Sequence, residues 1–478
     1  MPKQVVLVEI IGGQEEAFTR HAAALSSRLE SQSQVEKLAA SFSAAGVDVH
    51  PHFAPVPMFF GTGKPERADY TAFAAFASPT ANPDRKNLSH VIRVEADTAG
   101  LAKLRQRNDL RVYPASRLYM LDKCACGAGS GGAAAVETAV DGLDLEMDFG
   151  GTAGGVDCRP FRPAASRARI RALLGVRVAW HDGFFGQNII VAVVDEGVNS
   201  FYPVIGGFQS DEAPAPGSAP IESHGSMCAA DVLVAAPLAR LLDYPLIAEA
   251  TTADGVQMYQ DILERRRQNG TPQLATNSYG FFGVPDPNAE PGHEVFDVNH
   301  PFHRKVREVI ASGAPVFFAA GNCGTDCPSA RCRTSAIGPN RSINASAALA
   351  ETITIAAVNS RNERVGYSSQ GPSLNAPGFE PNKPDFAAYT HFFGNLGPGR
   401  PADGGPDSFD NGTSAATPVA AGVAALLMSR FRDLTPDRLR AALRLGAIEV
   451  GQPGFDFDTG NGVVNAGASY TRLVNGEV

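Results

Sequence analysis

The sequence predicts an α/β fold, a mostly parallel sheet flanked by helices on both faces, preceded by a small α+β unit. Three observations point to it. Through the later part of the chain, short apolar β-rich runs alternate with stretches of helical periodicity, as strands covered on both faces do. Residues 1–122 read differently, in the order β-α-β-β-α-β, the split βαβ arrangement of an antiparallel sheet with two helices on one face. Between the two, the composition shifts to Gly, Ala and Ser, as in Cys124-Ala-Cys-Gly-Ala-Gly-Ser-Gly-Gly132 and the glycines of 150–155. The expected division is therefore an α+β domain at 1–122, a flexible linker at 123–165 and a large domain at 166–478.

In the N-terminal unit, Gln4 to Ile10 is an apolar strand and residues 15–44 carry a long amphipathic helical pattern. Strand signals recur near Val47 to Phe60, at His90 to Ala96 and at Leu110 to Tyr113, with a helix over Thr98 to Gln106. Residues 61–86 are expected as a long loop. In the large domain, strands are expected at Ile189 to Val194, Gln273 to Ser278, Pro315 to Ala320 and Thr352 to Val358. Helices open at His224, run through Arg304 to Ser312 and begin again at Ser414. The stretch Val419 to Met428 is apolar on nearly every face and so belongs inside. Near the end, Thr435 reads as an N-cap and Pro436 as the first helical residue of a helix to Gly446 that closes the core. The basic run Arg265-Arg266-Arg267 reads as a solvated helix face.

Composition excludes several functions. Hydrophobic residues at 44%, charged residues at 19%, 49 Gly and 34 Pro describe a compact, turn-rich protein and not a disordered one. A net charge of -9 leaves no basic footprint for nucleic acid or an anionic membrane surface. No apolar run reaches the roughly 18 residues of a membrane span. The apolar start, Val5 to Ile10, is too short for a signal-peptide core. Seven cysteines, an odd count, fit a reducing compartment, so the expected location is the cytoplasm.

Four segments each place one chemically specific residue at the edge of an apolar element. Ile189-Ile-Val-Ala-Val-Val-Asp195 is a strand ending in a carboxylate, where sites form in parallel sheets, although Asp before Gly is also a common turn. Ser223-His224-Gly225 opens a helix of small residues, and Gly225 admits a close backbone approach. Asn411-Gly-Thr-Ser414 enters the long apolar helix, where free N–H groups favour developing negative charge, although serine there is also an ordinary cap. Phe317-Phe-Ala-Ala-Gly-Asn322 ends a strand with a carboxamide able to donate to an oxyanion.

Taken together and in this order, these residues resemble the subtilase family, the subtilisin-like serine proteases of peptidase family S8. Gly412-Thr-Ser-Ala-Ala-Thr-Pro418 is similar to its serine signature, His224-Gly-Ser to its histidine signature and Ala319-Ala-Gly-Asn322 to its oxyanion motif. Asn277-Ser-Tyr-Gly280, Tyr367-Ser-Ser-Gln-Gly-Pro372, Lys383-Pro-Asp385 and Gly460-Asn-Gly-Val-Val-Asn-Ala466 extend the likeness from about residue 170 to 468. The resemblance implies a subtilisin-like fold and a serine endopeptidase with Asp195, His224 and Ser414 as catalytic residues and Asn322 in the oxyanion hole. It implies Ser278, Tyr279, Gly280, Ala320 and Gly321 as substrate-binding residues, and a protein or peptide as substrate. Residues 1–122 resemble the family's ferredoxin-like propeptide, so the chain's own N-terminal domain is an expected intramolecular inhibitor of a latent zymogen, with Leu118 to Leu121 as the tail laid into the cleft. No cofactor is required for the chemistry. Calcium is common in the family, and Asp403 to Asp410 offers carboxylates without an EF-hand spacing.

The chain departs from the family pattern in places. Glu196 follows Asp195 where Thr or Ser is usual, and Met227 stands where many members carry a second His. Cys228 matches a cysteine of the proteinase K and kexin branches and reads as a packed structural thiol. Cys323, Cys327 and Cys332 follow Asn322 at no standard zinc spacing and are expected as free thiols. Asp326 could favour a basic substrate residue, yet its spacing from Asn322 differs from that of kexin-like members. Two alternatives stand beside a general protease: an inactive subtilase-fold binding module, discriminated by the absence of Ser414 labelling with a fluorophosphonate, and a narrow maturation protease for one partner, discriminated by substrate profiling.

Overall fold

The computed structural model describes residues 3–10, 42, 46–58, 89–121, 156–158, 165–210, 213–246, 250–290, 292–395 and 409–478. The expected helix at 15–44, the loop at 61–86 and the linker at 123–165 fall largely or wholly outside them.

The N-terminal region is an antiparallel sheet. Its strands are β1 (Gln4–Ile10), β2 (Val47–Val49), β3 (Val56–Met58), β4 (Ser89–Ala96) and, after helix α1 (Thr98–Arg105), β5 (Leu110–Pro114). The single strand signal near Val47 to Phe60 resolves into β2 and β3, both paired with β4. Strand β1 lies between β4 and β5, antiparallel to each. The two-residue side-chain period divides β1 between two cores. Val6, Val8 and Ile10 pack on one face with Leu101 and Leu104 of α1. Leu7 faces the other way, into a cluster shared with the large domain.

The large domain begins after β6 (Tyr119–Met120) and β7 (Ala165–Ser166) with α2 (Arg167–Leu173) and α3 (Arg177–His181). There follow β8 (Ile190–Asp195), β9 (Val204–Gly207), α4 (His224–Ala235), β10 (Arg240–Pro245), α5 (Thr252–Asn269), β11 (Leu274–Asn277), β12 (Tyr279–Gly280), α6 (Pro301–Ala311) and β13 (Val316–Ala319). The chain continues through β14 (Ile353–Val358), β15 (Phe386–Tyr389), β16 (Phe392–Phe393), α7 (Thr413–Arg430), α8 (Pro436–Gly446) and α9 (Ala466–Val474). Seven strands form one sheet in the order β15-β14-β13-β11-β8-β10-β9, and every pair in it is parallel. The carboxyl ends of β8, β11 and β13 therefore lie side by side, and the residues that follow them share one edge.

Helices cover both faces. On one, α4 and α7 pack with β14, β15 and the C-terminal helices. On the other, α5 and α6 pack against β10, β11 and β13. Helix α5 starts with a capping box between Thr251 and Asp254 and stops at Gly270, which holds a left-handed φ of 76°. Helix α8 carries the predicted Thr435 cap, whose side chain accepts from Arg438 N. The basic run at the end of α5 is not wholly solvated: Arg265 pairs with Asp261, and Arg266 donates to Ser312 and Pro272. The guanidinium groups satisfy the carbonyls of Gly207, Pro272 and Ser312.

The N-terminal sheet sits on α5 and α6 through apolar contacts and buried charge. Leu7, Phe53, Val56, Met58 and Val91 meet Phe302 and Val306. Within this contact Glu9 accepts from Arg304 Nη1 (2.8 Å), Tyr113 OH (3.0 Å) and Ser89, while Lys305 Nζ donates to Pro57 O (2.6 Å) and to Glu308 (2.6 Å). Burial alone would raise the Glu9 pKa, but Arg304 and these hydrogen bonds outweigh it and hold the group below the ordinary carboxylate range.

Helix α7 packs closely against α4. A Cβ on Gly422 would lie 2.3 Å from Val232 O, a backbone atom that cannot turn aside. Gly422→Val should therefore force the helices apart, costing about 2–3 kcal/mol and several degrees of Tm, read by thermal unfolding of full-length chains.

Candidate active site

Parallel topology brings Asp195, Ser278 and Asn322 to one edge of the sheet, and the starts of α4 and α7 meet them there. Asp195 is the last residue of β8 and is buried with Val191 to Val194 beneath it. Its Oδ1 accepts from His224 Nδ1 at 2.7 Å, and it also accepts from the following backbone N–H of Glu196. Because Nδ1 is the donor, Nε2 of neutral His224 carries the lone pair.

His224 is the first residue of α4, and the helix start is held from three sides. Ser223 caps it by accepting from Ser226 N and donates to Gly197 O (2.8 Å). Glu196 accepts from the backbone N–H of His224. Gly225 lies so close to the Asp195 loop that a Cβ would sit 2.3 Å from Gly197 O. The departure Glu196 thus has a definite task, since a carboxylate at a helix N-terminus satisfies an orphan donor.

The start of α7 is more unusual, because it is fully buried. Pro418 has no N–H to give the carbonyl of Ser414, four residues earlier. That carbonyl accepts instead from Ser278 Oγ (3.0 Å) and Cys228 Sγ (3.5 Å). Cys228 is buried as expected, its Sγ also 3.5 Å from Asp195 Oδ2. Burial first, and then the Asp195 charge, push the thiol pKa well up, so it remains a thiol.

Asn322 is oriented by the same turn. Its Oδ1 accepts from Thr413 N (3.0 Å) and Thr413 Oγ1 (2.9 Å), which directs Nδ2 into the cleft. Gly412 makes room: its φ is 86°, and a Cβ there would lie 3.2 Å from Asn322 Nδ2. Tyr367 OH accepts from Gly412 N at 2.7 Å. Thr413 and Tyr367 are positioning residues that motif reading passed over, Tyr367 having been read only as part of a core stretch.

The cleft holds the chain's own tail. Strand β6 pairs antiparallel with β12, Tyr279 opposite Met120 and Gly280 opposite Tyr119. Leu121 N donates to Ser278 O (3.1 Å), and Leu118 N donates to Ala250 O (2.8 Å) from the opposite wall. The carbonyl oxygen of Leu121 accepts from Ser414 Oγ (2.7 Å) and Asn322 Nδ2 (3.0 Å). Ala320 and Gly321 line the same cleft beside Leu118 and Leu121. Ser414 and Asn322 thus meet at one peptide carbonyl, Ser278, Tyr279 and Gly280 contact the same tail, and His224 is held to Asp195 at the start of α4.

Two expectations change. Cys323 is bonded to Cys332 and Cys327 to Cys158, so none of the three is a free thiol. The partner of Cys327 lies 169 residues away, and only folding brings it close. Asp326, offered by the sequence as a partner for a basic substrate side chain, is exposed and engaged by Arg364. Among the described residues, the one group of three metal-binding side chains is Asp195, His224 and Cys228, whose donor set does not suit a calcium ion that takes six to eight oxygens. Most of the 403–410 stretch lies outside the described residues.

Residues 186–462 match the model of the subtilase family. Subtilisin E of Bacillus subtilis (strain 168) is 28% identical over 301 residues, covering 60% of this chain and 67% of its own length. The serine protease AprX of Bacillus subtilis is 27% identical over 284 residues, covering 55% of this chain and 61% of its own. Among solved structures, fervidolysin from Fervidobacterium pennivorans aligns with 88% of this chain and 61% of its own, at 17% identity and a TM-score of 0.48.

The segment leading into the cleft rests on a titratable group. Glu294 is buried, its Oε2 accepting from Ser116 Oγ at 2.7 Å, and burial pushes its carboxyl up to about 7 from the ordinary 4.5. The folded form therefore keeps a proton that the unfolded form releases. That stabilisation is complete below 4.5 and is lost as pH rises through about 7. Glu294→Gln in the full-length chain should gain about 1–3 kcal/mol over wild type at pH 8 and little at pH 4, measured by denaturant unfolding.

Proposed function

Because the chain belongs to the subtilase family and is a serine-type peptidase, we propose that it is an endopeptidase made as a latent zymogen whose first substrate is its own Leu121–Asp122 bond. The observation that carries this reading is the Leu121 carbonyl, which receives Ser414 Oγ at 2.7 Å and Asn322 Nδ2 at 3.0 Å. A peptide bound as an antiparallel strand, with its carbonyl against a serine hydroxyl and a carboxamide N–H, is arranged as a substrate is for acyl transfer.

In the reaction, His224 Nε2 takes the proton of Ser414 as Oγ attacks the carbonyl carbon, and returns it to the leaving amine of Asp122. Asp195 holds the tautomer through the 2.7 Å bond to Nδ1 and stabilises the imidazolium as it forms. The oxyanion is held by Asn322 Nδ2 and the backbone N–H of Ser414. Water then releases Leu121 from the serine ester. No cofactor enters these steps.

The N-terminal unit acts as the inhibitor. After the cut, Leu118 to Leu121 still pair with Ala250 and β12, and Glu9 still meets Arg304 in a buried contact, so the fragment stays bound until something removes it. The two cystines support an oxidising compartment in place of the reducing one expected from the cysteine count.

Wild type should convert to a fragment ending at Leu121 and a large chain beginning at Asp122, read by intact mass. Ser414→Ala should stay whole, and cleavage of that variant at the same bond and rate would overturn self-processing. Asn322→Ala should slow the cut by about 10²- to 10³-fold, the size of effect that removing one such donor has in subtilisin.

Glu9→Ala tests the inhibitor reading independently of the chemistry. Removing one partner of a buried ion pair costs about 3–5 kcal/mol, so the cut fragment should be held roughly 10²- to 10⁴-fold less tightly. Activity on an added peptide should then appear without the lag shown by wild type.

A further inference from the structure

The cystine next to Asn322 has no part in the chemistry above, yet it belongs to the same apolar cluster as the residue being cut. Leu121 is 2% exposed, and its side chain packs with Phe282, Ala319, Cys323 and Ala336, with Cys332 against the same cluster. Gly280 forms the near wall, where a Cβ would stand 3.8 Å from the Leu121 methyls. We propose that the Cys323–Cys332 cystine is a wall of the pocket for the residue before the cut, and that it sets a preference for an uncharged, leucine-sized side chain there. This rests on the reading of Leu121 as that residue.

Three features support the assignment. First, the bridge closes a loop whose backbone is already tied across the pocket: Gly338 N donates to Cys323 O (2.9 Å), Ser329 N to Asn322 O (2.9 Å) and Arg333 N to Phe282 O (2.7 Å). Holding Cys332 to Cys323 keeps sulfur against the leucine side chain and keeps water out of that side. Second, Leu121 is enclosed by an apolar cluster of described residues, and the loop's one carboxylate, Asp326, is engaged by Arg364 on the outside. A lysine or arginine would enter without a counter-charge, and Arg331, whose guanidinium lies 5.8 Å from the Phe282 ring centroid, adds like-charge repulsion at the rim. Third, the other bridge of the loop, Cys158–Cys327, ties it to residues 156–158, and neither of its sulfurs belongs to the Leu121 cluster. The two bridges therefore make a natural pair of test and control.

The test uses the self-processed enzyme after its N-terminal fragment has dissociated, and peptides of the form Leu-Tyr-Met-X, cut after X, with X as Leu, Ala or Lys. Wild type should favour Leu over Ala by roughly 10- to 100-fold in kcat/KM, as burial of the larger side chain requires, and should favour Leu over Lys at least as strongly. In C323A/C332A the Leu-to-Ala ratio should fall by about 10-fold, while C158A/C327A keeps it within about twofold. Ser414 should still take a fluorophosphonate label in all three, which separates a changed pocket from a destroyed catalytic centre. If the double variant does not accumulate, a dithiol applied to C158A/C327A, which keeps the Cys323–Cys332 bridge, makes the same change: the cystine takes two electrons and two protons to become two thiols, and the dithiol closes to its cyclic disulfide. The ratio should then fall in step with free thiol at Cys323 and Cys332. An unchanged Leu-to-Ala ratio after loss of the cystine, or a wild-type preference for Lys, overturns the proposal. Failure of the underlying protease reading has a different signature: wild type that neither cuts after Leu121 nor takes the label.

Discussion

The buried first turn of α7 is the constraint on which the catalytic centre depends. A helix start ordinarily faces water or a capping side chain, because its first N–H groups have no partner within the helix. Here the start is enclosed, and Pro418 removes one more backbone bond by leaving the Ser414 carbonyl without its helical donor. The vacancy is filled from other elements: Ser278 from the end of β11 and Cys228 from α4 donate to that carbonyl, while Asn322 from the end of β13 accepts from Thr413. A single turn of helix thereby ties together the neighbours of all the reacting groups. The same bonds that satisfy a buried helix end also fix the direction in which the Asn322 amide and the Ser414 hydroxyl point.

The N-terminal unit uses a second arrangement of the same kind. Glu9, Arg304, Lys305 and Glu308 are almost wholly buried between the small sheet and α6. Such charges are tolerated only with partners, and Glu9 has Arg304, Ser89 and Tyr113. The contact specifies one way of docking, because a shifted sheet would leave a buried carboxylate facing a carbon surface. Correct docking then carries β5 and the residues after it along α6, where His300 donates from Nε2 to Pro114 O (2.9 Å), and on into the cleft. The position of Leu121 at Ser414 is thus a consequence of a charge pair whose members, Glu9 and Arg304, lie far before and far after it in the chain.

Much of this was legible in the sequence because it depends on local chemistry. Apolar runs marked the buried strands β8, β11, β13 and β14, Thr435-Pro436 marked the start of α8, and the small-residue segments around His224 and Ser414 marked the buried helices α4 and α7. Residue types at strand ends and helix starts marked Asp195, His224, Asn322 and Ser414 as candidates, and the resemblance to the subtilases supplied their roles; a parallel sheet brings such ends to one edge. Glycine was informative where backbone had to pass close to backbone, as at Gly225 against Gly197.

What the sequence by itself determined, then, was the set of elements and the chemistry carried at their ends, both being encoded in short stretches of neighbouring residues. The tertiary structure decided what meets what across long separations. Cys327 finds Cys158 rather than remaining a thiol, Asp326 is engaged by Arg364 rather than left for a substrate side chain, and Arg266 is drawn in to loop carbonyls rather than left in water. Each of these outcomes depends on a partner distant in sequence or on the direction of a loop, and neither leaves a local periodicity to read. The packing of Leu121 against the Cys323–Cys332 cystine belongs to the same class, because a pocket is made by walls that only the folded chain brings together.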